Sequence, residues 1–360
     1  MPQIPEFRQK IDQIDDQLLK LINRRASLAV KIGKEKTRDN DNGHFHVPHR
    51  ERDILLRLKQ SNKGPFSNSA IEKVFREIFS ATLALEKPLR TAFLGPESTF
   101  SHQASVLQFG HSASFSPCAN IEAVFSEVEQ GNCDYGVVPV ENSIEGVINL
   151  TLDRFAESPL LICDELKLEI VLCLMAKTEN RKKIERIYSH PQPLAQCRGW
   201  LNLNFPGVEQ VPTSSTATAA GMAKNDPNSA AIAGSLAAEM YHLKILDRGI
   251  QDQNENFTRF LIIGKEKAKR AKRNKTSIIL SIKDEAGSLL KTLQLFAKHG
   301  INLTKIQSRP LRNQPWSYLF YIDFEGHQDD ANVKKVLDTL EKQCLSQRVL
   351  GSYPLGDLKK

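Results

Sequence analysis

"LLKLINRRASLAVKIGKEK", residues 18–36, is a helical stretch whose apolar seam is broken by a cation. Ile11, Ile14, Leu18, Leu21, Leu28 and Ile32 recur at the alternating three-and-four spacing of one helix face. Position 25 belongs to the same series, and Arg25 occupies it. Lys36 follows eleven residues later, about 20° around a helix that turns about 100° per residue, so the two cations share a face. A single Arg in a seam is explained by snorkelling or a buried ion pair. Here the pattern continues: Glu51 precedes Leu55 and Leu58 on a second helix, and Thr82 and Glu86 extend Ile71, Phe75 and Ile78 on a third. Five polar groups on three seams predict a polar cavity, and its cations predict an anionic ligand, best a carboxylate.

Working outward, residues 1–88 read as helix. The first helix is expected over 5–36 and is broken by "TRDNDNGHFHVPH"; "RERDILLRLKQ" forms a second. "AIEKVFREIFSATLALEK" forms a third, stopped by Pro88. Three helices of this length cannot bury their stripes within one small domain, so a homodimer of interlocked helices is expected. From residue 91 short apolar runs alternate with helical ones. "TAFLG", "DYGVVPV", "LKLEIVLCLMA", "IERIYS" and "RFLIIG" read as buried strands of an α/β region. A basic linker is expected at 264–275, and 276–360 reads β-α-β-β-α-β, the ferredoxin-like order. The expected fold is therefore multidomain, with boundaries at 1–88, 90–265 and 276–360.

The 360 residues are 40% hydrophobic and 25% charged, ordinary globular composition. The N-terminus lacks an apolar signal-peptide region, and no apolar run is long enough to span a bilayer, so no membrane partner and a cytoplasmic location are expected. Cys118, Cys133, Cys163, Cys173, Cys197 and Cys344 are scattered without a C-x-x-C pair, which suits reduced thiols. The net charge of +7 is concentrated in "KEKAKRAKRNK", residues 265–275, which alone carries +6. With no interleaved aromatic residue for base stacking, that run reads as a solvated linker and no nucleic-acid partner is expected. His44, His46 and His49 lie in a polar loop without a partner cluster and read as solvated surface, so no metal is called.

Three segments place hydroxyl or amide side chains after a strand and at a helix start: "GPESTFSHQA" (95–104), "PVENSIEG" (139–146) and "PTSSTATAA" (212–220). Helix N-termini offer free N–H groups and the positive dipole end, and together they predict a small-anion cleft.

"FRQKIDQIDDQLLKLINRRASLAVKIGKEK", "VPHRERDIL" and "VFREIFSATLALE" resemble the all-helical chorismate mutases. That resemblance implies a dimer enclosing a dianion that rearranges without covalent chemistry. It further implies that Arg8 reaches the partner's site and that Arg25 and Lys36 hold carboxylates and the ether oxygen. Arg50 and Glu51 fall in the family's "RE" pair, and Thr82 and Glu86 close the last helix. Some members carry an acid where this chain has Val47, and Glu86 stands where others have Gln. Because Glu donates a hydrogen bond only when protonated, mutase activity is expected to rise as pH falls below neutrality.

The three hydroxyl-rich segments, with "SHPQPLAQC" (189–197) and "NFTRFLIIG" (256–264), resemble prephenate dehydratase. The resemblance implies two α/β lobes like a periplasmic binding protein, with the site between them. Thr258 is implied as the donor at the leaving hydroxyl, Glu141, Asn142, Ser189 and Gln196 as support, and Arg259 as an anion anchor. Thr99, Ser143, Ser215, Thr216 and Phe260 complete the implied substrate contacts. Ser98 departs from the more usual Gly.

"DEAGSLLKTLQLFAKHGINLTKIQSRP" resembles an ACT domain. The implied phenylalanine site comprises Gly287, Ser288, Leu289, Leu290, Asn302, Gln307, Ser308, Arg309 and Pro310, with Ser288 and Gln307 departing from the usual residues. Together the resemblances imply chorismate and prephenate as substrates, phenylalanine as feedback inhibitor, and no cofactor. A mutase–dehydrogenase fusion would need a G-x-G-x-x-G dinucleotide fingerprint, which is absent. A non-catalytic amino-acid sensor is the alternative of a different class.

Overall fold

A computed structural model describes residues 3–38, 48–253, 255–310, 318–356 and 358–359; side chains of residues 36–38, 48, 358 and 359 are outside the description. Lys36's side chain, Val47, His44 and His46 therefore lie outside the described residues. The chain forms two compact units, Met1–Leu89 with Phe109–Ser114, and Arg90–Gln108 with Phe115–Lys360.

The first unit holds α1 (Gln3–Arg38), α2 (Pro48–Ser61) and α3 (Asn68–Glu86). Ser67 caps α3 by accepting from the Ala70 N–H, and Lys87 leaves the helix in an extended conformation, as a residue preceding proline should. Leu55 and Phe79 are buried, but the seam residues Ile11, Ile14, Leu18, Leu21, Leu28 and Ile32 are each 49–60% exposed. Residues 3–24 of α1 are exposed on every face.

The second unit begins with β1 (Arg90–Leu94), α4 (Phe100–Phe109), β2 (Ser114–Cys118), α5 (Ile121–Glu129) and β3 (Tyr135–Asn142). It continues with β4 (Gly146–Val147), α6 (Asn149–Glu157) and β5 (Leu161–Glu169). The chain then crosses to a second sheet built from β6 (Cys173–Ala176), β7 (Arg186–Ser189), β8 (Glu209–Pro212), β9 (Ser229–Ala233) and β10 (Lys244–Arg248). Helices α7 (Pro191–Gln196), α8 (Arg198–Asn204), α9 (Thr216–Asn225) and α10 (Ser235–Tyr241) connect those strands. The chain returns through β11 (Phe257–Gly264), which enters the first sheet between β5 and β3. Two sheets with two chain crossings make two α/β lobes. The apolar run "LKLEIVLCLMA" is therefore two strands in two sheets rather than one.

The last segment is β12 (Asn274–Ser281), α11 (Ser288–Lys298), β13 (Leu303–Pro310), β14 (Tyr318–Glu325), α12 (Ala331–Gln343) and β15 (Ser346–Pro354). Its sheet runs β13-β14-β12-β15, leaving β13 as an edge, and β16 (Leu358–Lys359) adds to β5 in the first sheet. Its core is continuous with that of the first lobe, since Ile279, Tyr321, Leu350 and Tyr353 pack in one cluster with Val138, Phe155 and Leu261. The basic run also departs from the expected solvated linker at its end. Lys275 lies inside β12 and is only 4% exposed. Among the described residues no helix is long and apolar enough to cross a membrane.

Candidate active and regulatory sites

In the helical unit Arg25 projects from α1 to α3. Its Nη1 donates to Thr82 Oγ1 at 3.0 Å, and its guanidinium lies 4.9 Å from the centre of the Phe79 ring. Burial lowers the Arg25 pKa, the charge of Glu51 raises it, and that of Arg50 lowers it again. A Cβ on Gly33 would come within 2.7 Å of Glu86 Oε2, so the α3 carboxylate packs directly over α1. The fold thus brings Thr82, Glu51 and Arg50 to Arg25 and sets Glu86 over Gly33 on the same helix pair. Arg8 is on the exposed part of α1, away from this cluster in sequence.

A cavity of about 400 Å³ opens between the two lobes. Thr99 and Ser101 reach it from the start of α4, Ser214–Thr216 from the start of α9, Gln196 from α7, and Asn142, Asn256, Thr258 and Phe260 from β3, β11 and the approach to β11. Ser215 caps α9 by accepting from the Thr218 N–H at 3.0 Å. No lysine or arginine lines the cavity among the described residues; helix N-termini and amides line it together with His190 and Glu145. Ser98, just before α4, has φ +65°, the left-handed region in which glycine avoids a Cβ clash; that accounts for the glycine more usual there.

One ladder sorts the predicted residues. In the antiparallel pairing of β3 with β11, Thr258 stands opposite Asn142 and Arg259 opposite Glu141. Successive side chains on a strand point to opposite faces, so neighbouring rungs serve different sides of the sheet. The 142/258 rung faces the cavity: Asn142 Nδ2 donates to Thr258 Oγ1 at 3.0 Å. The 141/259 rung faces the C-terminal segment. Arg259 Nε donates to Glu165 Oε2 at 2.7 Å, Nη1 to Asp323 Oδ2 at 2.6 Å and Nη2 to the Tyr353 hydroxyl at 3.1 Å. Lys275 Nζ donates to both Glu165 oxygens, at 2.8 and 3.0 Å, and Lys305 Nζ donates to Glu141 Oε2 at 2.9 Å.

Arg259 as anion anchor and Glu141 as cleft support are therefore corrected. Both are held by ion pairs on the far face of the sheet, because strand parity turns them away from Thr258. Burial pushes the Glu165 carboxyl up, but the charges of Arg259 and Lys275 outweigh it and hold the group down at about 2. Burial likewise opposes the Arg259 charge, yet Asp323, Tyr353 and Glu165 raise its pKa overall. Such a network is costly to break from one side: an uncompensated buried charge costs about 3–5 kcal/mol.

Two further expectations shift. "PVEN" is the end of β3 and not a helix start. Ser189 is fully buried and donates to the Ile232 carbonyl at 2.7 Å, so it braces β7 against β9 and does not line the cavity. Ser143 pins the turn after β3, donating to the Glu255 carbonyl and accepting from the Phe257 N–H. The sequence reading missed Asn256, Glu165, Asp323 and Lys275. Asn256 had one usable signal, its period-two spacing from Thr258.

In the C-terminal segment Gly287 precedes α11 with φ +86°, and a Cβ there would strain the backbone. Ser288, Leu289 and Leu290 open α11, Asn302 precedes β13, and Gln307, Ser308, Arg309 and Pro310 lie on β13. Arg309 is committed elsewhere, donating to both Asp153 oxygens of α6 at 2.9 and 2.8 Å.

Three family models match the chain: Chorismate mutase type II at residues 7–87, Prephenate dehydratase at 91–268 and ACT domain at 276–342. A bifunctional chorismate mutase/prephenate dehydratase of Aquifex aeolicus (strain VF5) is 47% identical, with 100% of both chains covered. One of Pseudomonas aeruginosa is 45% identical, with 98% of each covered. The crystal structure of a prephenate dehydratase in complex with L-Phe from Arthrobacter aurescens superposes with a TM-score of 0.69 at 34% identity, covering 74% of this chain and 90% of that one.

Proposed function

The chain belongs to the family of bifunctional chorismate mutase/prephenate dehydratases, and on that premise we infer a two-site enzyme of phenylalanine biosynthesis. It rearranges chorismate to prephenate and converts prephenate to phenylpyruvate, and L-phenylalanine inhibits it by feedback. The observation that carries the assignment of the second site is the Thr258–Asn142 rung, which turns a hydroxyl into a cleft that no described lysine or arginine lines.

The first site is the cluster on α1, α2 and α3. Arg25 and Lys36 clamp the carboxylates and stabilise charge on the ether oxygen, Arg50, Glu51 and Thr82 hold the substrate's remaining polar groups, and Arg8 reaches the second subunit's site. The homodimer this requires is supported by the half-exposed seam of α1, an apolar stripe that one chain leaves uncovered. Glu86, packed over Gly33, donates to the substrate only in its protonated form. Mutase turnover is therefore expected to rise as pH falls below neutrality, and Glu86→Gln is expected to flatten the pH–rate profile. A wild-type profile already flat through the acid range contradicts this role.

In the second site the ring carboxylate leaves as carbon dioxide while the hydroxyl leaves with a proton's help. Asn142 fixes the polarity of that help. Its Oδ1 accepts from the N–H groups of Ile144 and Glu145, at 2.9 and 3.1 Å, so its Nδ2 must be the donor to Thr258. The Thr258 hydroxyl then accepts from Asn142 and keeps its own proton for the leaving hydroxyl. Thr99, Ser215, Thr216 and Gln196 bind the carboxylates, and Phe260 with Leu94 and Leu172 walls the ring. A carboxylate held without a cation against such walls is less stabilised than one in an ion pair, which favours its loss.

Phenylalanine binds where α11 begins and β13 forms the sheet edge, at Gly287–Leu290, Asn302 and Gln307–Pro310, with Arg309 contributing its backbone while Asp153 holds its guanidinium. From that edge the route to the reaction is short. Lys305 on β13 and Asp323 on β14 grip Glu141 and Arg259, the rung adjacent to Thr258. Titrating L-phenylalanine against prephenate turnover is expected to suppress it. Turnover unchanged at millimolar phenylalanine contradicts the regulatory role. The domains act as 1–88, 90–265 and 276–360, the reaction occurs in the cytoplasm, and no cofactor takes part.

A further inference from the structure

We propose that Asn256 is a positioning residue of the dehydratase, fixing which end of the Gln196 amide faces the substrate. The proposal deepens the reading of the cleft as the prephenate site. Asn256 is 1% exposed and sits between Asn142 and Gln196. It is two residues from Thr258, outside the strand, at the start of the "NFTRFLIIG" stretch but given no role there.

The inference follows from counting donors. Backbone N–H groups can only donate, so the two that reach Asn142 Oδ1, from Ile144 and Glu145, establish that atom as the carbonyl oxygen. Asn142 Nδ2 therefore donates both its protons, one to Thr258 Oγ1 and one to Asn256 Oδ1 at 2.9 Å. With its oxygen used as acceptor, Asn256 turns its Nδ2 outward and donates to Gln196 Oε1 at 3.1 Å. Each amide thus imposes its direction on the next. At the end of the chain, Gln196 is left with its NH2 group, which is buried and has no protein partner among the described residues. Gln196 lines the cavity, so in this orientation its NH2 group, and not its carbonyl oxygen, is the end left free to donate to an anion bound there. Free in solution, an amide offers its oxygen and its nitrogen equally; here two backbone N–H groups decide the matter three side chains away.

Asn256→Asp keeps the size and the acceptor for Asn142 but reverses the second contact. Both carboxylate oxygens accept, so Gln196 must turn its NH2 inward and present Oε1 to the substrate carboxylate. A site built to donate that instead offers an acceptor loses about tenfold or more in binding. The expected result is a rise in the prephenate KM of at least about tenfold, with kcat changed far less, since the Asn142–Thr258 contact persists. Gln196→Leu removes the responding amide, and in that background Asn256→Asp is expected to add little to KM; such non-additivity is what a packing role would not produce. Asn256→Ser, whose hydroxyl can accept from Asn142 and donate to Gln196, is expected to keep KM several-fold below that of Asn256→Ala, and this pair decides the question if the Asp variant fails to fold. The proposal is overturned if Asn256→Asp leaves KM within about twofold of wild type, if its effect is undiminished without the Gln196 amide, or if the Ser and Ala variants are equal. Thr258→Val in the same assay separates the two readings: full turnover there sinks the cleft assignment itself, whereas a dead Thr258→Val with a silent Asn256→Asp sinks only the relay.

Discussion

Thr258→Val is expected to abolish conversion of prephenate to phenylpyruvate while chorismate is still consumed at the wild-type rate. Valine replaces the hydroxyl with a methyl of similar size, so the side chain still fills its place on β11, 9% exposed beside Phe260. Two things change. Asn142 Nδ2 loses one of its two acceptors, at a cost of about 1–3 kcal/mol for a buried unsatisfied donor. The leaving hydroxyl loses the only donor that the 142/258 rung aims at it, and a positioned proton donor is worth roughly 10²–10⁴ in rate. The turnover number, measured as phenylpyruvate formed from prephenate, should fall by at least about 10²-fold. Thr258→Ser, which restores a hydroxyl, should recover part of it. Val and Ser variants with equal, undiminished turnover would contradict the assignment.

Arg25→Leu is the matching change in the helical unit. The seam pattern itself favours leucine at this position, and leucine is a good helix former. The fold loses the Arg25–Thr82 hydrogen bond and the contact with the Phe79 ring, the latter worth about 0.5–1 kcal/mol. Thr82 keeps a bond of its own, donating to the Ile78 carbonyl at 2.6 Å. Thermal unfolding should therefore stay near wild type, with apolar burial offsetting part of the loss. Mutase activity should not survive, because one preorganised donor at developing negative charge is commonly worth 10²–10³ in kcat and Arg25 is also the proposed carboxylate clamp. Dehydratase turnover of supplied prephenate should be unaffected. A variant that folds and still rearranges chorismate would remove Arg25 from the site.

These two residues also mark how far the sequence could be read. Arg25 was legible because a helix has one period and a seam residue has one direction; an Arg at a leucine position needs an explanation that the neighbouring seams supply. Thr258 was legible through the tripeptide it belongs to. Arg259, next to it, was misread for a physical reason. In β11 both faces of the sheet are covered, so every position from 258 to 264 is buried and alternation gives no sign of which face meets the ligand. Of its two carboxylate partners here, Asp323 lies 64 residues away and Glu165 lies 94 residues in the opposite direction. Pairings of that range depend on sheet order, which local pattern does not encode. Lys275 was lost in a run of charges that reads as solvated, although the last of them enters a strand and neutralises Glu165. The helix N-termini at Thr99 and Ser215 were legible because capping chemistry is local.

The uncovered seam of α1 and the ion-paired back of β11 give the two units different vulnerabilities. The helical unit leaves its apolar seam half-exposed, the surface that the proposed second copy would cover. The dehydratase lobe instead shares a core and a charge network with the regulatory segment, so the two cannot be loosened independently.

The central claim is that two separate sites act in sequence on one chain. It is tested most directly by a chorismate time course followed for prephenate and phenylpyruvate with the wild type, Arg25→Leu and Thr258→Val. The wild type should form phenylpyruvate. Thr258→Val should stop at prephenate, and Arg25→Leu should leave chorismate untouched yet convert added prephenate. If either substitution removes both activities in a folded protein, or neither activity responds to its own substitution, the two-site account is wrong.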